Sequence, residues 1–232
     1  MNLQGTTAVV TGANRGFGRH LAQQLRDRGV HVYAGARNLE TIDLDGVTPL
    51  QLDITDPASV AAAAATTKDV SILVNNAGVA TGATLIEGEL SHIRHEFETN
   101  FFGTLAVTRA FAPHLAEHDE SYVLNVLSAF SWFNVPAVGG YSASKAAQWS
   151  LTDGLRQDLA GQGTRVGGLH VGLMDTDLTA SIKAPKEDPA KVARLAVDAI
   201  EAGAFEILAD AQSTGIRAAL SGGVAALYPN LA

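Results

Sequence analysis

The sequence predicts an α/β fold in which helices cover both faces of one doubly wound parallel sheet of seven strands. Strand-like and helix-like segments alternate along the 232 residues with short connections, the order that parallel sheets require. The composition agrees, since 47% of the residues are hydrophobic and only 17% are charged. We interpret residues 1–232 as one domain because no segment has the composition of a linker.

Charge and cysteine content restrict the possible partners. Sixteen Lys and Arg against 24 Asp and Glu give a net charge of −8, which argues against nucleic acid or an anionic membrane as the main partner. The chain has no cysteine, so disulfides and thiolate metal sites are excluded. It shows no signal-like start and no apolar run of membrane-spanning length. We therefore expect a cytoplasmic protein.

A glycine-rich turn joins the first strand and helix. Residues 6–11 are apolar and β-branched, as in a strand buried on both faces, and a helical pattern after the turn ends at Gly29. Strand, turn and helix in this order direct backbone N–H groups and a helix N-terminus at a phosphate. An ordinary glycine turn is the alternative. The predicted cofactor contacts here are Gly12, Asn14, Arg15, Gly16, Phe17 and Gly18.

Arg37, not an acid, follows the second strand, which is predicted at residues 30–34. In dinucleotide sites an acidic side chain at this place binds the ribose 2′-hydroxyl and repels a 2′-phosphate. Arg15 in the glycine-rich turn can reach the same phosphate, and guanidinium groups offer paired donors to phosphate oxygens. The two arginines favour NADP(H) over NAD(H), and two solvated surface arginines are the alternative.

The third and fourth strands, predicted at 50–54 and 71–74, both end in polar or small residues. Ligands of α/β sheets bind at the carboxyl ends of the strands. Small polar residues there let a ligand approach closely, although a plain turn has the same composition. We add to the predicted cofactor site Asp53, Ile54, Asn76, Ala77 and Gly78.

A long helix is predicted from Ser91 to about Ala116, with Asn100 in its middle. The asparagine amide competes for backbone partners, so a local irregularity or a functional task is expected there. Four histidines in and just after this stretch have helical spacing, but no His-Glu-x-x-His pattern is present, and we predict no metal site.

Tyr141 and Lys145 follow the fifth strand, which is predicted at 122–127 and ends at Ser128. On a helix, residues four apart share a face, so the phenol and the ammonium can share one small site. A nearby cation favours the phenolate and lowers a tyrosine pKa from about 10 toward neutrality. Such a tyrosine can give or take a proton, although this spacing also occurs on ordinary helix surfaces.

Apolar residues lie in the loops after the fifth strand and after the sixth, which is predicted at 165–170. Beside a chemical site they indicate a pocket for a hydrophobic substrate, and packing against the fold is the alternative. The predicted pocket residues are Phe130, Trp132, Phe133, Val135, Leu173 and Met174.

Residues 178–189 have the prolines and mixed charge of a flap. A helix at 189–202, a seventh strand at 205–209 and a short tail helix complete the chain.

In combination, these motifs resemble the classical short-chain dehydrogenases/reductases. The shared features are the Thr-Gly-x-x-x-Gly-x-Gly turn at 11–18, Asn-Asn-Ala-Gly at 75–78, Asn100, Ser128, and Tyr-x-x-x-Lys at 141–145. The resemblance extends from residue 6 to about 210, and its specificity lies in the joint spacing, above all Ser128 thirteen positions before Tyr141. It implies a Rossmann-like fold and an oxidoreductase. The extended branch of the family is disfavoured because its glycine spacing differs.

The resemblance implies four catalytic roles. Tyr141 would protonate a carbonyl oxygen, or act as the base in the reverse direction. Lys145 would lower the tyrosine pKa and hold the nicotinamide ribose, and Ser128 would stabilise the developing alkoxide. Asn100 would hold a water that links Lys145 to solvent.

It also implies cofactor contacts. Asp53 would bind the adenine amino group, Asn76 the adenosine ribose, and Thr176 with Gly172 the nicotinamide end. Val171 stands where the family usually has the proline of a Pro-Gly pair, which puts the rigidity of this loop in doubt.

Three functions are compatible with these features. The first is a carbonyl reductase-like enzyme that uses NADPH to reduce a hydrophobic ketone or aldehyde, and the second is an NAD(P)+-dependent secondary-alcohol dehydrogenase. A catalytically silent NADP(H)-sensing protein is the third, and the intact catalytic residues count against it.

The tail after Asp210 lacks the ending that supports tetramers in many relatives. We therefore expect first a homodimer through the helices around Asn100 and Lys145, and second a homotetramer.

Overall fold

Seven strands form one sheet in the computed structural model, which describes residues 1–231. The strands are β1 (Thr7–Thr11), β2 (His31–Ala36), β3 (Thr48–Gln51), β4 (Val70–Asn75), β5 (Ser121–Val126), β6 (Thr164–His170) and β7 (Glu206–Leu208). Every neighbouring pair is parallel, and the strand order is β3-β2-β1-β4-β5-β6-β7. The predicted α/β fold with a doubly wound parallel sheet of seven strands is confirmed.

Helices lie on both faces of the sheet. They are α1 (Gly16–Asp27), α2 (Pro57–Thr66), α3 (Leu90–Phe97), α4 (Thr104–Leu115), α5 (Gly139–Asp158), α6 (Pro189–Ala202), α7 (Ala211–Ala219) and α8 (Gly223–Leu227). Side chains of α1 and α6 share one hydrophobic core, and those of α2, α4 and α5 share another. Within residues 1–231, no helix has both the length and the apolar character required to cross a bilayer.

Burial on both faces explains the continuous apolar run of β1. Ala8 and Val10 belong to the core that contains Leu21 of α1, whereas Val9 belongs to the core that contains Phe111 of α4. Successive side chains of a strand point to opposite faces, so both faces of this strand need apolar residues.

The strand order reverses between β1 and β4. From β1 the chain adds β2 and β3 on one side, and it then crosses to β4 on the other side. At such a reversal the connections after the two strands go to opposite faces and leave a crevice at the carboxyl ends. The glycine-rich turn after β1 and residues 76–78 after β4 border this crevice.

β3 ends earlier than the sequence predicted. We expected residues 50–54, but the strand ends at Gln51, which places Asp53 beyond it. The Asp53 carboxylate accepts hydrogen bonds from the Thr55 backbone N–H at 3.0 Å and from its hydroxyl at 2.7 Å. This local turn leads the chain into α2 and competes with further strand pairing.

The predicted helix from 91 to 116 is interrupted. Between α3 and α4 the chain forms a π-helical segment, Glu98–Gly103, which contains the buried Asn100. The local irregularity predicted from this asparagine is therefore present. Gly103 ends the segment against Ile54, whose side chain would lie 2.8 Å from a Cβ at that glycine, so the close approach requires glycine.

α5 begins at Gly139, three residues before its predicted start, and this places Tyr141 in its first turn. The tail contains two helices where one was predicted. Asp210 caps the first of them, α7, by accepting from the Ser213 N–H at 2.6 Å. The second, α8, was missed from the sequence.

Candidate active site

The glycine-rich turn forms a tight cradle. Gly12 and Gly16 have φ values of +64° and +52°, in the left-handed region that glycine adopts without strain. A Cβ on Gly18 would lie 2.2 Å from the Gly12 carbonyl oxygen, so only glycine fits there. No side chain of the described residues caps the α1 N-terminus at Arg15. Its N–H groups therefore suit an anionic ligand, and the cradle fits a dinucleotide phosphate.

Asn76 and Thr11 join the ends of β1 and β4. The Thr11 hydroxyl oxygen accepts from the backbone N–H groups of Asn76 and Ala77, both at 2.9 Å. The Asn76 amide donates to the carbonyl oxygens of Thr11 at 2.9 Å and of Gly12 at 3.2 Å. Both hydrogens of this amide are therefore engaged in holding the turn. Asn76 therefore stabilises the turn, a role that the sequence did not predict, and its contact with a ribose stays a prediction.

Arg37 and Asp53 line one surface cavity of about 590 Å³ beside β3. Hydrogen bonds from the side chain and backbone of Thr55 hold the pKa of Asp53 below its usual value, burial opposes this, and Arg37 lowers it further. The acid and the arginine thus line the same cavity, and their contacts with an adenosine stay a prediction.

Arg15 has a different partner from the one expected. Its guanidinium lies 3.2 Å from the Asp177 carboxylate, across the crevice, and both side chains are exposed. The predicted contact of Arg15 with the same phosphate as Arg37 stays a prediction. An exposed ion pair of this kind contributes about 1 kcal/mol or less, so a phosphate can compete for the arginine.

Ser128, Tyr141 and Lys145 come together at the carboxyl end of β5. Ser128 lies two positions after this strand, and the other two lie one turn apart on α5. The Lys145 Nζ lies 5.8 Å from the centroid of the Tyr141 ring, and the Ser128 side chain is near enough to the phenol to lower its pKa. The Ser128 oxygen also accepts from the Phe130 N–H at 3.1 Å.

The pKa of Tyr141 differs from the expectation. Burial raises it to about 12, the hydrogen bond with Ser128 partly opposes this, and the charge of Glu96 raises it further. Burial also lowers the pKa of Lys145 to about 7. The expected lowering of the tyrosine pKa by the lysine was therefore wrong for this structure, because loss of hydration penalises both charged forms.

Asn100 connects the loop after β4 to α5. Its side-chain oxygen accepts from the Val79 N–H, and its amide donates to the Val79 carbonyl and to the Ser144 hydroxyl, all at 2.9 Å. Both amide hydrogens are used, so a relay water would need another atom of this residue, such as the carbonyl oxygen. The role as a water site stays a prediction.

Ala77 and Gly78 complete the wall between the turn and the catalytic side chains. A Cβ on Gly78 would lie 3.1 Å from the Asn100 oxygen and 3.7 Å from the Lys145 Nζ, which explains the glycine. A Cβ on Gly12 would lie 3.1 Å from the Cα of Ala77. The predicted cofactor residues of this segment thus contact the predicted catalytic ones.

The predicted pocket residues divide into two groups. Phe130, Phe133, Val135 and Leu173 are half-buried beside Ser128 and the β6 loop, and Phe133 stacks on Tyr228 of the tail with ring centroids 5.0 Å apart. Their role as the border of a substrate pocket stays a prediction.

Trp132 and Met174 have packing contacts instead. Trp132 is buried and stacks on His170 with centroids 3.6 Å apart, and its other contacts include the Trp149 ring. Met174 packs against the core of α1 and α6. Placing Trp132 in the pocket was wrong, because its indole fills the space between β6 and α5.

The loop after β6 is held from the tail. The Gly172 N–H donates to the Asp210 carboxylate at 2.5 Å. Val171, at the position usual for proline, is buried, and its carbonyl accepts from the Ala129 N–H at 2.9 Å. The Thr176 side chain would lie 3.7 Å from a Cβ on Gly16. The loop therefore faces the glycine-rich turn across the crevice, as the nicotinamide contact requires.

Most of the chain matches one family. Residues 6–187 match the model of the short chain dehydrogenases. The chain belongs to the short-chain dehydrogenase family. The predicted resemblance is therefore confirmed, and the chain is an oxidoreductase of this family.

Several known proteins are similar to this short-chain dehydrogenase in sequence or in structure. A short chain dehydrogenase from Burkholderia cenocepacia in complex with NADP is 36% identical, with a TM-score of 0.95 over 100% of this chain and 99% of that one. One from Burkholderia phymatum in complex with NAD is 26% identical, with a TM-score of 0.84 over 95% of each chain. The 1-deoxy-11-beta-hydroxypentalenate dehydrogenase of Streptomyces avermitilis is 35% identical over 80% of this chain and 75% of its own.

Four buried polar residues of this dehydrogenase were missed from the sequence. Glu96 accepts from the Thr81 N–H and hydroxyl, His170 lies 3.2 Å from the Ser128 carbonyl oxygen, and Gln148 accepts from Lys145. Thr104 connects the last of these to Asn100. Gln148 lies three positions after Lys145, and this helical spacing was the one feature of the sequence that could have indicated their contact. Among residues 1–231, no group of three or more potential metal ligands occurs.

We expect His170 to make the dehydrogenase less stable in mild acid. Burial lowers its pKa to about 4, against 6.5 without burial, although the hydrogen bond with Ser128 opposes this. As pH falls below 6.5, the unfolded chain binds the proton first, so the free energy of unfolding falls until pH reaches about 4. The loss amounts to about 3 kcal/mol. Urea denaturation of the parent and of His170→Phe at neutral pH and near pH 4 measures it.

The Phe variant retains an aromatic ring against Trp132 and has no proton to bind. Its stability should therefore depend less on pH than that of the parent. His92→Phe, at an exposed position, is the matched control and should follow the parent. An equal loss of stability in the parent and in His170→Phe would contradict the burial argument.

Proposed function

We propose that this short-chain dehydrogenase uses NADPH to reduce a hydrophobic ketone or aldehyde, in the manner of a carbonyl reductase. The observation that carries the proposal is the cluster of Ser128, Tyr141 and Lys145 at the carboxyl end of β5, beside the glycine cradle after β1. A donor hydroxyl, a protonated phenol and a cation at one place are the groups that a carbonyl oxygen needs when it becomes an alcohol.

Tyr141 is suited to donate a proton. Its raised pKa, about 12 through burial, keeps the phenol protonated at neutral pH. As the substrate oxygen gains negative charge, its own affinity for the proton exceeds that of the phenol, so the proton transfers to it. Lys145 then stabilises the phenolate that remains, since it supplies the cation in its vicinity.

Ser128 is suited to orient the substrate oxygen. Its hydroxyl oxygen accepts from the Phe130 N–H, which leaves the hydroxyl hydrogen for an acceptor in the site. A substrate oxygen placed between the two hydroxyl groups would receive one hydrogen bond from Ser128 and one from Tyr141. Two donors at one oxygen favour the charge that develops there.

Several residues support a nicotinamide dinucleotide as cofactor. The cradle of Gly12, Gly16 and Gly18 would hold the phosphates, Asp53 the adenine, and Thr176 with Lys145 the nicotinamide end. A bound nicotinamide would supply the hydride for the carbonyl carbon. NADP(H) is favoured over NAD(H) by Arg37 and by the NADP of the similar Burkholderia cenocepacia protein, while the NAD of the Burkholderia phymatum protein keeps the other cofactor as the alternative.

A secondary-alcohol dehydrogenase that uses NAD(P)+ is the second candidate. The relative from Streptomyces avermitilis is named as a dehydrogenase of a hydroxy compound, which favours this direction. The same residues serve both directions, since the phenolate of Tyr141 accepts the proton that the phenol donates. Assays of aryl, long-chain and cyclic ketones with NADPH, and of the matching alcohols with NADP+, distinguish the two.

Tyr141→Phe should lower kcat/KM by about 10²- to 10⁴-fold, because the variant lacks the proton donor. NADPH binding, followed by fluorescence, should change little, since the aromatic ring remains. Tyr33→Phe removes a phenol at another half-buried position and should keep the parent activity. If the parent binds NADPH but reduces none of the carbonyl panel, a cofactor-sensing protein becomes the better explanation.

Arg37→Asp should reverse the cofactor preference. The change replaces a cation that would pair with the 2′-phosphate by an acid that repels it and binds the 2′-hydroxyl. A charged hydrogen bond of about 1.5–3 kcal/mol corresponds to a loss of about ten- to a hundredfold in kcat/KM with NADPH relative to NADH. Arg109→Asp, an exposed site on α4, controls for the change of charge. A parent enzyme that already prefers NADH would refute the argument from the arginines.

We propose further that the enzyme is a homodimer through the helices around Asn100 and Lys145, with a homotetramer as the alternative. Exposed apolar side chains on α3 and the π-helical segment, Leu90 and Phe102, support this, because such groups favour burial against a partner. Light scattering after size exclusion should give twice the monomer mass, and Phe102→Glu should give less dimer. A monomeric parent at micromolar concentration would exclude both assemblies. A cytoplasmic location stays a prediction from the sequence.

A further inference from the structure

Gln148 lies directly against the Lys145 ammonium, inside the protein. The Lys145 Nζ donates to the Gln148 side-chain oxygen at 2.8 Å and to the Val126 carbonyl oxygen at 2.8 Å. Gln148 is fully buried, and Lys145 is 4% exposed, the one buried lysine of the described chain. A leucine at position 148 would fill the same space without a buried amide, so packing alone does not explain the glutamine.

Thr104 determines which way the Gln148 amide points. The Thr104 hydroxyl has one hydrogen, and it donates this hydrogen to the Asn100 carbonyl oxygen at 2.9 Å. Its oxygen can then only accept, and it accepts from the Gln148 amide nitrogen at 2.9 Å. The opposite orientation would direct the amide N–H groups at the ammonium, donor against donor. The carbonyl oxygen of Gln148 must therefore face Lys145.

Two fixed acceptors leave the Lys145 ammonium with one N–H group free to donate. An ammonium has three N–H groups, and Val126 with Gln148 engages two of them. The third is left for the side of Gly78 and Tyr141, where the absence of a Cβ at the glycine gives room. Gln148 thus fixes the rotation of the Lys145 head group as well as its place.

We propose that Gln148 is a positioning residue for Lys145: its side-chain oxygen favours the charged form of the ammonium and directs it toward the site of Tyr141. The inference rests on the proposed function only for its effect on turnover. The contact itself is a property of the chain without cofactor. The side-chain amide does not gain or lose a proton at working pH, so Gln148 orients and stabilises the cation and does not relay the proton.

Three ionisable groups face this site from other directions. Tyr141 lies on α5 with its ring 5.8 Å from the Lys145 Nζ. The charge of Glu96 on α3 acts on the phenol, and the charge of Lys145 acts on His170 of β6. All three remain in variants at position 148. A shift in the titration of Lys145 in those variants therefore reports the contact with Gln148.

Two substitutions give shifts of opposite sign. Gln148→Met has the same length without an acceptor, so the pKa of Lys145 should fall by about one to two pH units, as expected for a lost hydrogen bond to a charged group. Gln148→Glu places a carboxylate there, so the pKa should rise. Because the charged lysine is the active form, the alkaline limb of the kcat/KM profile should move down in the first variant and up in the second.

The control is Thr152→Val, one turn further along α5. Thr152 is equally buried, accepts from the Asn125 side-chain amide at 2.9 Å and donates to the backbone carbonyl oxygen of Gln148 at 2.8 Å. This variant loses buried hydrogen bonds at a comparable cost in stability but keeps the Gln148 side chain against Lys145. Its pH profile should match that of the parent. If Gln148→Met and Thr152→Val shift the profile equally, Gln148 has only a structural role and the proposal is overturned.

A second readout needs neither cofactor nor turnover. NMR titration of isotope-labelled lysine side chains, with Lys145 assigned from a Lys145→Met sample, gives the pKa of Lys145 directly. It should move down in Gln148→Met and up in Gln148→Glu, and one folded variant is enough to decide the sign. An unchanged value overturns the proposal. If Tyr141→Phe is fully active, the proposed function fails, and the lysine titration still decides the role of Gln148.

Discussion

The burial of the Lys145 ammonium group determines the arrangement of much of the structure around it. A cation removed from water needs hydrogen-bond acceptors, because an unpaired buried charge is far more costly than a buried dipole. The end of β5 supplies one acceptor through Val126, and α5 supplies the other through Gln148. Thr104 and Asn100 extend this set of hydrogen bonds into the π-helical segment. The interruption between α3 and α4 and the polar interior of α5 thus belong to one connected network.

The same burial changes the acid chemistry of the site. Loss of hydration raises the pKa of the Tyr141 phenol and lowers that of Lys145, so each group is held closer to its neutral form than in water. A phenol that stays protonated is suited to give its proton only when an oxygen beside it becomes strongly basic. The geometry thus favours proton donation that is coupled to the reduction of the substrate over free titration of the tyrosine.

The crevice at the carboxyl ends of β1 and β4 depends on a second set of contacts. Thr11 and Asn76 tie the two strand ends together, and the tight turn of Gly12 and Gly18 leaves the α1 N-terminus open to an anion. Across the crevice, Asp210 holds the loop after β6 through its Gly172 N–H. The tail that supplies Asp210 therefore helps to shape the loop after β6, and Tyr228 of the same tail holds the aromatic loop after β5 through Asn134 and Phe133.

The sequence by itself determined the sheet, the order of its elements and the positions of the proposed catalytic groups. These follow from local patterns: apolar runs for strands buried on both faces, glycines where the backbone must turn, and Tyr-x-x-x-Lys on one helix face. The tertiary structure alone decided what several side chains do. Trp132 packs in the core and Asn76 holds the turn, because both outcomes depend on partners distant in the chain. Gln148 lies three positions from Lys145, but Thr104, 44 positions away, directs its oxygen at the lysine. The directions of the pKa shifts were decided there too, since they depend on how much water the fold removes, and no spacing of residues records that quantity.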